Sequence, residues 1–306
     1  MGQGPFHAGE LALQRATGEA DEAGHNGRII SGELLPSAVG YIARQVMAIA
    51  ATVDQAGRPW ASPLLGPPGS FVAAGLAKLE LNRSTARADD PLWADLAGDP
   101  RIGLIFLEPV RRRRYRVNGH VVDPAADPLL VVVDEAFGNC PKYIASRELT
   151  LRPSAAPDDG AGAATGTALG ADERRIIAAA DVAFVASAHP TGSLDASHKG
   201  GRPGFIEVRD GAVWIPDYYG NSLFNTLGNL WVNPVAGLLF IDFDSGQSLQ
   251  LTGTTTVDID AGPEPGGRPA SGAAGRSWTL HPTAWRRAPL PAGLEANLLE
   301  RSPFNP

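Results

Sequence analysis

Hydrophobic residues in this chain fall mostly into short runs, separated by glycine, proline and polar residues. The continuous apolar runs at 102–107 and 237–241 are typical of strands that are buried on both faces. Apolar and polar residues alternate over 115–122 and 249–257, which predicts strands with one buried face. Short, closely spaced strands with few long helices favour small closed barrels.

The same pattern marks one hairpin and two short helices. Asp210-Gly211 separates two strand-like segments, and this dipeptide supplies the positive φ angles that a type I′ turn needs. Ser37 can cap a helix before one group of strands, and Asp172 and Glu173 favour the N-terminal end of a helix before the other. The chain is therefore expected to be mainly β, with flanking helices.

A weak internal repeat accompanies this order of elements. Residues 47–66 align without a gap with residues 182–201. Further along, residues 103–106 (GLIF) correspond to residues 237–240 (GLLF). Two matching blocks in the same order indicate that the chain contains the same unit twice.

We therefore expect two barrel domains. The first is placed at residues 37–154, and the second, with a C-terminal tail, at 172–306. Residues 1–36 are expected to form an N-terminal arm, and residues 155–171, rich in Ala, Gly and Asp, a flexible linker. Residues 261–275 have a similar composition and are predicted to form another mobile loop.

Charge and cysteine content narrow the range of partners. With 33 acidic and 26 basic residues, the chain of 306 residues has a net charge of −7, so nucleic acid and anionic membranes are not favoured partners. A single cysteine, Cys140, excludes an internal disulfide framework and a cysteine-rich zinc site. No signal-peptide pattern and no run of about 18 apolar residues occurs. We expect a soluble, cytoplasmic protein.

The densest group of polar and charged side chains lies in the second half. Ser197, His198, Lys199 and Arg202 stand there among glycines. Glycine lets a backbone approach a ligand, free amides can cradle phosphate oxygens, and cations add charge-assisted hydrogen bonds. A solvated glycine-rich turn is the alternative. The corresponding stretch of the first half keeps Ser62 but lacks His, Lys and Arg, so the two sites cannot be chemically alike.

Cations of the first half are concentrated at the start of a predicted strand. Alternate residues of a strand share a face, so Arg112, Arg114 and Arg116 could point together at an anionic ligand. An exposed basic edge strand that resists aggregation is the alternative interpretation.

Three further residues have reactive or metal-binding chemistry. Cys140 lies close to Lys142, which favours a thiolate, but a lone cysteine is more often a small buried side chain. His7 and Glu10 have the chemistry of metal ligands, but a structural role is favoured, because two candidates do not make a site. No metal site and no catalytic residue are predicted.

Several motifs together resemble one known family. They are FHxGE with Gln14 near the start, Trp60-Ala61-Ser62, the 197–205 loop, PDYYGN at 216–221, Asn229 with Asn233-Pro234, residues 137–144 and the closing SPFNP. In these the chain is similar to predicted flavin-nucleotide-binding proteins of the pyridoxamine 5′-phosphate oxidase-like superfamily. The resemblance implies an FMN-binding split barrel, which is a six-stranded antiparallel Greek-key barrel, present twice in tandem with FMN in a groove between barrels.

The resemblance also implies roles for single residues. In the second half, the implied cofactor-binding residues are Ser197, His198, Lys199, Arg202, Asn221 and Ser222. Relatives often have a phosphate-binding lysine at the last two positions, and this chain lacks it. From the first half, Trp60, Ser62, Arg114 and Arg116 would complete one strong site across the groove.

The implied function is that of an FMN-dependent oxidoreductase, acting on a small molecule by hydride transfer through flavin N5. One alternative is a non-catalytic flavin-binding or carrier protein. The same fold could also hold F420, FAD or haem. A homodimer is compatible with either function.

Overall fold

The computed structural model describes residues 4–152, 162–260 and 273–306. Its helices are α1 (Ala8–Ala16), α2 (Ala20–Asn26), α3 (Pro36–Ala43), α4 (Leu92–Gly98), α5 (Ala171–Ala179) and α6 (Asn225–Val232), and single 3-10 turns occupy Gly27–Ile29, Arg83–Thr85 and Pro109–Arg111. No helix within the described ranges has the length and apolar character to cross a bilayer.

The first half of the chain forms an antiparallel sheet of seven strands. They are β1 (Met47–Val53), β2 (Pro59–Leu65), β3 (Phe71–Ala73), β4 (Lys78–Leu81), β5 (Arg101–Glu108), β6 (Arg113–Val121) and β7 (Leu129–Gly138). Their order across the sheet is β2-β1-β5-β6-β7-β4-β3. A further strand, β8 (Ser146–Arg152), follows this sheet in the chain.

The second half forms a sheet with the same strand order. Its strands are β9 (Ala164–Gly166), β10 (Val182–Ala188), β11 (Leu194–Gly200), β12 (Glu207–Arg209), β13 (Ala212–Tyr218), β14 (Val235–Asp242), β15 (Gln247–Asp258) and β16 (Ala273–Pro289). The main path runs β11-β10-β14-β15-β16-β13-β12, and β9 pairs with β16 outside it. The last strand, β17 (Gly293–Glu300), pairs with β8. Each main path has seven strands, one more than the barrel that the resemblance implies.

The local patterns behave largely as predicted. β5 and β14 are buried along almost their whole length. Asp210 and Gly211 have φ angles of 50° and 84° in the turn between β12 and β13, so the hairpin prediction is confirmed. The cap of α3 differs from expectation: Leu35 is the N-cap and Pro36 the first helical residue, because the fixed φ of proline suits the first turn. Ser37 lies inside the helix.

Residues 155–161 of the predicted linker and 261–272 of the second predicted loop lie outside the described residues. Of the rest, Ala164–Gly166 forms β9, and residues 273–275 belong to β16. Ala164–Gly166, inside the predicted linker, pairs with the segment Trp285 to Arg287 of β16. Gly166 packs directly on the indole of Trp285, whose Nε1 donates to the carbonyl of Ala168 at 2.9 Å. Packing on this indole explains why a stretch of loop-like composition joins the sheet.

The core consists of three apolar clusters, of which one joins the two halves. Each sheet encloses one cluster, and a third is formed by residues of both sheets. Ala48 and Ala50 of β1 face the first cluster, whereas Met47 and Ile49 face the shared one. Strands at the junction are therefore apolar on both faces, which is why their sequences lack alternation.

Close approach of the two halves depends on a pair of equivalent glycines. A Cβ at Gly103 would lie 2.5 Å from the carbonyl oxygen of Leu194, and one at Gly237 would lie 2.6 Å from that of Pro59. Both acceptors belong to the opposite half. We expect Gly103→Ala to lower the free energy of unfolding by about 1–3 kcal/mol, because a methyl group would press on backbone that cannot yield.

Urea unfolding of the full chain measures this effect. Gly138→Ala is the matched control, since Gly138 also belongs to a strand and an added Cβ there meets nothing within 4 Å. Its free energy of unfolding is expected to stay within about 0.5 kcal/mol of that of the wild type. Equal midpoints for the two variants would show that Gly103 is not needed for the approach.

Candidate functional site

The cleft between the two halves brings together most of the predicted site residues. Seven of them line it: Arg114, Arg116, Ser197, His198, Lys199, Asn221 and Ser222. The cleft has about 790 Å³ of empty volume, including the part that is open to solvent.

Strand β6 carries two arginines into the cleft. Arg114 and Arg116 lie two positions apart and share a face, as the alternation predicts. Arg112 does not join them, which corrects the prediction of three arginines on one face. It precedes the strand with a left-handed φ of 50°, so its side chain turns away and its Nη2 pairs with Glu300 at 2.6 Å.

Arg116 is buried, 5 % exposed, and tied into the second half. Its Nε lies 2.9 Å from Oδ1 of Asp195, which is itself 2 % exposed. The Nε hydrogen is donated to the carbonyl of Ala196 at 3.0 Å, so the attraction to Asp195 is coulombic. Its Nη atoms donate to Oγ of Ser197 at 2.7 Å and to Oδ1 of Asn225 at 2.8 Å. Arg116 therefore has its partners within the protein.

Arg114 has no carboxylate partner among the described residues. Its Nε donates to the carbonyl of Cys140 at 2.9 Å, and its Nη1 lies 3.1 Å from Nδ1 and 3.2 Å from the carbonyl of His198. Burial, together with the nearby charge of Arg116, lowers the pKa of Arg114 to about 10. At neutral pH it is thus a cation held only by neutral groups.

His198 is a neutral imidazole. Burial and the charge of Arg114 hold its pKa well below the usual value for histidine. An arginine can only donate, so Nδ1 of His198 accepts and the hydrogen resides on Nε2. The residue therefore positions Arg114 and does not add positive charge.

A second polar network, which the sequence did not reveal, forms the opposite wall. Nζ of Lys199 lies 2.8 Å from Asp217, and the other oxygen of Asp217 accepts from Nε of Arg276 at 3.1 Å. Arg276 also pairs with Glu19, which accepts from Oγ of Ser222 at 2.6 Å. The sequence did contain one signal for Arg276. It alternates along the strand with the core residues Trp278 and Leu280, so the three side chains share the inward face.

Three predicted residues lie outside the cleft lining. Arg202 is exposed in the turn after β11. Trp60 is buried elsewhere and donates from Nε1 to Asp54 at 3.1 Å. Oγ of Ser62 donates to Asp90 at 2.6 Å. Arg202 was predicted because it follows Lys199 closely in the sequence. The chain turns after β11 ends, so Arg202 does not line the cleft with Lys199.

Gly200, in the polar stretch, allows another segment of the chain to pack closely against β11. A Cβ at Gly200 would lie 2.0 Å from the carbonyl of Tyr143. Tyr143 belongs to a segment of the first half that crosses over β11, and it has a φ of 66°. The close approach expected for a ligand is here an approach of protein backbone, which fixes one wall of the cleft.

The counterpart of this site in the other half is filled by paired side chains. Gln250 of β15 is paired across the sheet with Leu239 of β14. This position is equivalent to that of Arg116 of β6, which is paired with Ile105 of β5. Gln250 donates to Ser62 at 3.0 Å and its Oε1 lies 3.2 Å from Nη1 of Arg286. Arg286 in turn pairs with Asp89 at 2.9 Å. Charge here is neutralised within the protein.

The remaining candidates have structural positions. His7 is the N-cap of α1: its Nδ1 accepts the N–H of Gly9, and Glu10 accepts the N–H of His7 at 2.9 Å. Cys140 is half-buried, and its carbonyl holds Arg114. No cluster of three or more metal-ligating side chains occurs within the described ranges.

Among known proteins, solved structures are similar to this chain. No family model and no curated protein matches the chain. HupZ from Group A Streptococcus is 15 % identical over 37 % of this chain and 89 % of that chain, with a TM-score of 0.29. A pyridoxinephosphate oxidase family protein from Clostridium acetobutylicum, related to general stress protein 26, is 12 % identical over 42 % and 92 %, with a TM-score of 0.29. The FAD binding protein from Mycobacterium smegmatis is 15 % identical over 42 % and 99 %, with a TM-score of 0.27.

Pyridoxamine 5′-phosphate oxidase-like and FAD-binding proteins are therefore among the structures similar to this chain. The fold is mainly antiparallel β, as the resemblance of the motifs implies.

Proposed function

We propose that the cleft binds FMN and that the protein is an FMN-dependent oxidoreductase acting on a small molecule. The observation that carries this proposal is Arg114, a cation that lines the cleft and pairs with no carboxylate of the described chain. A partly buried charge without a counter-ion favours an anionic ligand. The resemblance of the motifs supports the phosphate of a flavin nucleotide as that anion.

The charges around the cleft fit a phosphate. Four cations line it, namely Arg114, Arg116, Lys199 and Arg276. They face Glu19 and Asp217 in the lining and Asp195 beneath Arg116, which leaves an excess of one positive charge. Hydroxyl and amide groups of Ser197, Ser222 and Asn221 provide neutral hydrogen-bond partners, as phosphate sites commonly have.

The groove proposed for FMN lies within one chain. Arg116 comes from the proposed barrel at 37–154 and Ser197 from that at 172–306, and the two side chains are joined directly at 2.7 Å. A tandem chain could thus provide both walls of the groove. Dimer formation is not required for this site.

Bound FMN would supply hydride transfer at its N5. The contribution of the chain is electrostatic: Arg114 and Lys199 would bind the anionic tail and keep the ligand in register with the cleft. His198 fixes the guanidinium of Arg114 through Nδ1. Both carboxylates of the lining, Glu19 and Asp217, are held in ion pairs.

Lys199→Ala and Arg114→Gln are each expected to weaken FMN binding about tenfold and to leave riboflavin binding unchanged. Riboflavin has no phosphate, and one charge-assisted hydrogen bond accounts for about 1.4 kcal/mol or more. Quenching of flavin fluorescence on titration of the full chain gives both affinities.

Arg202→Ala is the matched control, because it removes the same charge from an exposed position outside the cleft. It should bind both flavins as the wild type does. If Arg202→Ala matched Lys199→Ala, or if FMN and riboflavin lost equal affinity, the phosphate would not bind where we propose.

A non-catalytic flavin carrier is the second candidate function. It is favoured by the ion pairing of Glu19 and Asp217, since no carboxylate of the described lining remains free to transfer a proton. Rapid reduction of the flavin by NAD(P)H, followed by turnover of an acceptor, would support the oxidoreductase. The mass and absorption spectrum of the copurifying ligand distinguish FMN from FAD, F420 and haem.

A further inference from the structure

One of the two carboxylates that line the cleft, Glu19, holds groups that would suit an anionic ligand. It accepts a hydrogen bond from Oγ of Ser222 at 2.6 Å and pairs with the guanidinium of Arg276. Guanidinium and hydroxyl groups are donors that bind phosphate oxygens in proteins. Both of these donors line the cleft, and the carboxylate of Glu19 occupies them.

Arg276 has little free surface while Glu19 is in place. Its guanidinium lines the cleft, but only 4 % of the side chain is exposed. Its Nε donates to Asp217 at 3.1 Å, and the ring centroids of Phe224 and Tyr219 lie 4.9 and 5.5 Å from its Cζ. Nη1 donates to Glu19. An anion that binds this Nη1 must therefore take the place of Glu19.

The N-terminal arm holds Glu19 in the cleft by contacts on either side of it in the chain. Nε2 of Gln14 donates to the carbonyl of Leu223 at 3.3 Å, and Nδ2 of Asn26 donates to that of Asn221 at 2.9 Å. Glu19 lies between these two anchors in the arm, and its own hydrogen-bond partner lies between theirs in the wall of the cleft. Neither anchor involves the charge of Glu19, so the arm should stay docked when that charge is removed.

The charges of this wall balance only when Glu19 is counted. Lys199 and Arg276 face Asp217 and Glu19, which gives two cations and two carboxylates. A neutral side chain in place of Glu19 would leave one uncompensated cation here, and the positive excess of the whole cleft would rise from one charge to two. Charges a few ångströms apart in a partly buried site interact strongly, so this change bears directly on the binding of an anion.

We infer that Glu19 is an internal competitor of the anionic ligand and sets the affinity of the cleft for it. The anionic group of the ligand would bind Arg276 and Ser222 and displace the carboxylate towards solvent, where 15 % of the Glu19 side chain is already exposed. Before the ligand binds, the same carboxylate is the counter-ion of a buried guanidinium. FMN as the ligand rests on the proposed function, whereas competition with an anion does not.

Glu19→Gln is therefore expected to bind FMN and inorganic phosphate about tenfold more tightly than the wild type, since the ligand no longer displaces a charged group. Glutamine has the same shape and keeps an oxygen acceptor, but it has no charge. Riboflavin has no anionic group and should bind the two proteins equally. Quenching of flavin fluorescence gives both flavin affinities. The rise in the free energy of unfolding with phosphate concentration, at constant ionic strength, gives the phosphate affinity of the full chain.

Glu22→Gln is the matched control. Glu22 belongs to the same arm, is exposed and does not line the cleft, so the substitution removes the same charge outside the site. It should bind FMN and phosphate as the wild type does. Glu19→Ala is a second test variant, because it also vacates the space beside Arg276. It should bind both anions at least as tightly as Glu19→Gln.

Phosphate binding that is absent, unchanged or weaker in both Glu19 variants would overturn the inference. An equal gain in Glu22→Gln, or an equal gain for riboflavin, would also overturn it, because the effect would then not arise at the anionic group. A gain for phosphate in a protein that binds no FMN would support the competition and contradict the proposed function. FMN binding that is the same in the wild type and both Glu19 variants would leave the proposed function standing and overturn the inference.

Discussion

Arg116→Met is expected to be among the most destabilising single substitutions in this protein, with a loss of about 3–5 kcal/mol in the free energy of unfolding. The side chain of Asp195 is 2 % exposed, and Arg116 is the cation at 2.9 Å from it. Removal of the guanidinium would leave a carboxylate in the interior without a counter-ion. Ser197, which donates to the other oxygen of Asp195 at 2.8 Å, would be its remaining partner.

A double-substitution cycle separates the charge effect from lost packing. Arg116→Met combined with Asp195→Leu removes both charges and should recover most of the loss, because a buried pair can be replaced by apolar side chains at little net cost. Arg113→Met, at an exposed arginine of the same strand, is the control and should change stability by less than about 0.5 kcal/mol. Equal stability of Arg116→Met and the double variant would show that the unpaired carboxylate is not the cause.

The strands could be predicted from the sequence because their signals are local. Apolar runs such as those of β5 and β14, and the Asp210-Gly211 turn, depend on residues next to one another in the chain. The alternation rule also placed Arg114 and Arg116 on one face. It failed at Arg112, because the rule assumes extended backbone and this residue has a φ of 50°.

The second wall of the cleft could not be predicted in the same way. Arg276 meets Glu19 across 257 positions and Asp217 across 59, and no spacing rule connects residues so far apart. The converse holds for Arg202, which is three residues from Lys199 and outside the cleft. Sequence proximity identified the chemistry of the region, while the pairing of strands selected which residues form the site.

Divergence between the halves distinguishes the proposed anion site from the equivalent position in the other half. At equivalent positions of β6 and β15, Arg116 faces the cleft and Gln250 faces a filled counterpart. Arg286 lies within the filled region and is paired there with Asp89. The sequence already showed that Ser62 is not followed by cations, as Ser197 is. It did not show that Arg286 of β16 fills the equivalent position, because no role was predicted for that strand.

Ionisation of Glu10 is expected to make the protein less stable as pH rises. Burial raises the pKa of Glu10 from 4.5 to about 7, and the nearby carboxylates of Glu135 and Asp195 act in the same direction. The folded state thus retains a proton that the unfolded chain has released. The resulting stabilisation is complete below pH 4.5 and is lost as pH rises through about 7. From the two pKa values the loss amounts to about 3 kcal/mol.

The free energy of unfolding of the wild type, minus that of Glu10→Gln, isolates this contribution. We expect the difference to fall by up to about 3 kcal/mol between pH 4 and pH 8, since glutamine does not ionise. Glu173→Gln is the matched control, because Glu173 likewise accepts the N-cap N–H of its helix, from Gly170 at 3.0 Å, but has Arg287 at 3.3 Å.

The Glu10 carboxylate is also connected to the cleft. Its Oε1 accepts from Nδ2 of Asn225 at 2.7 Å, and Oδ1 of Asn225 accepts from Arg116 at 2.8 Å. A negative charge that forms on Glu10 above pH 7 is therefore separated by one amide group from the guanidinium of Arg116 in the proposed flavin site. A wild-type curve that runs parallel to that of Glu10→Gln over the whole range would mean that folding does not raise the pKa of Glu10, and would contradict this prediction.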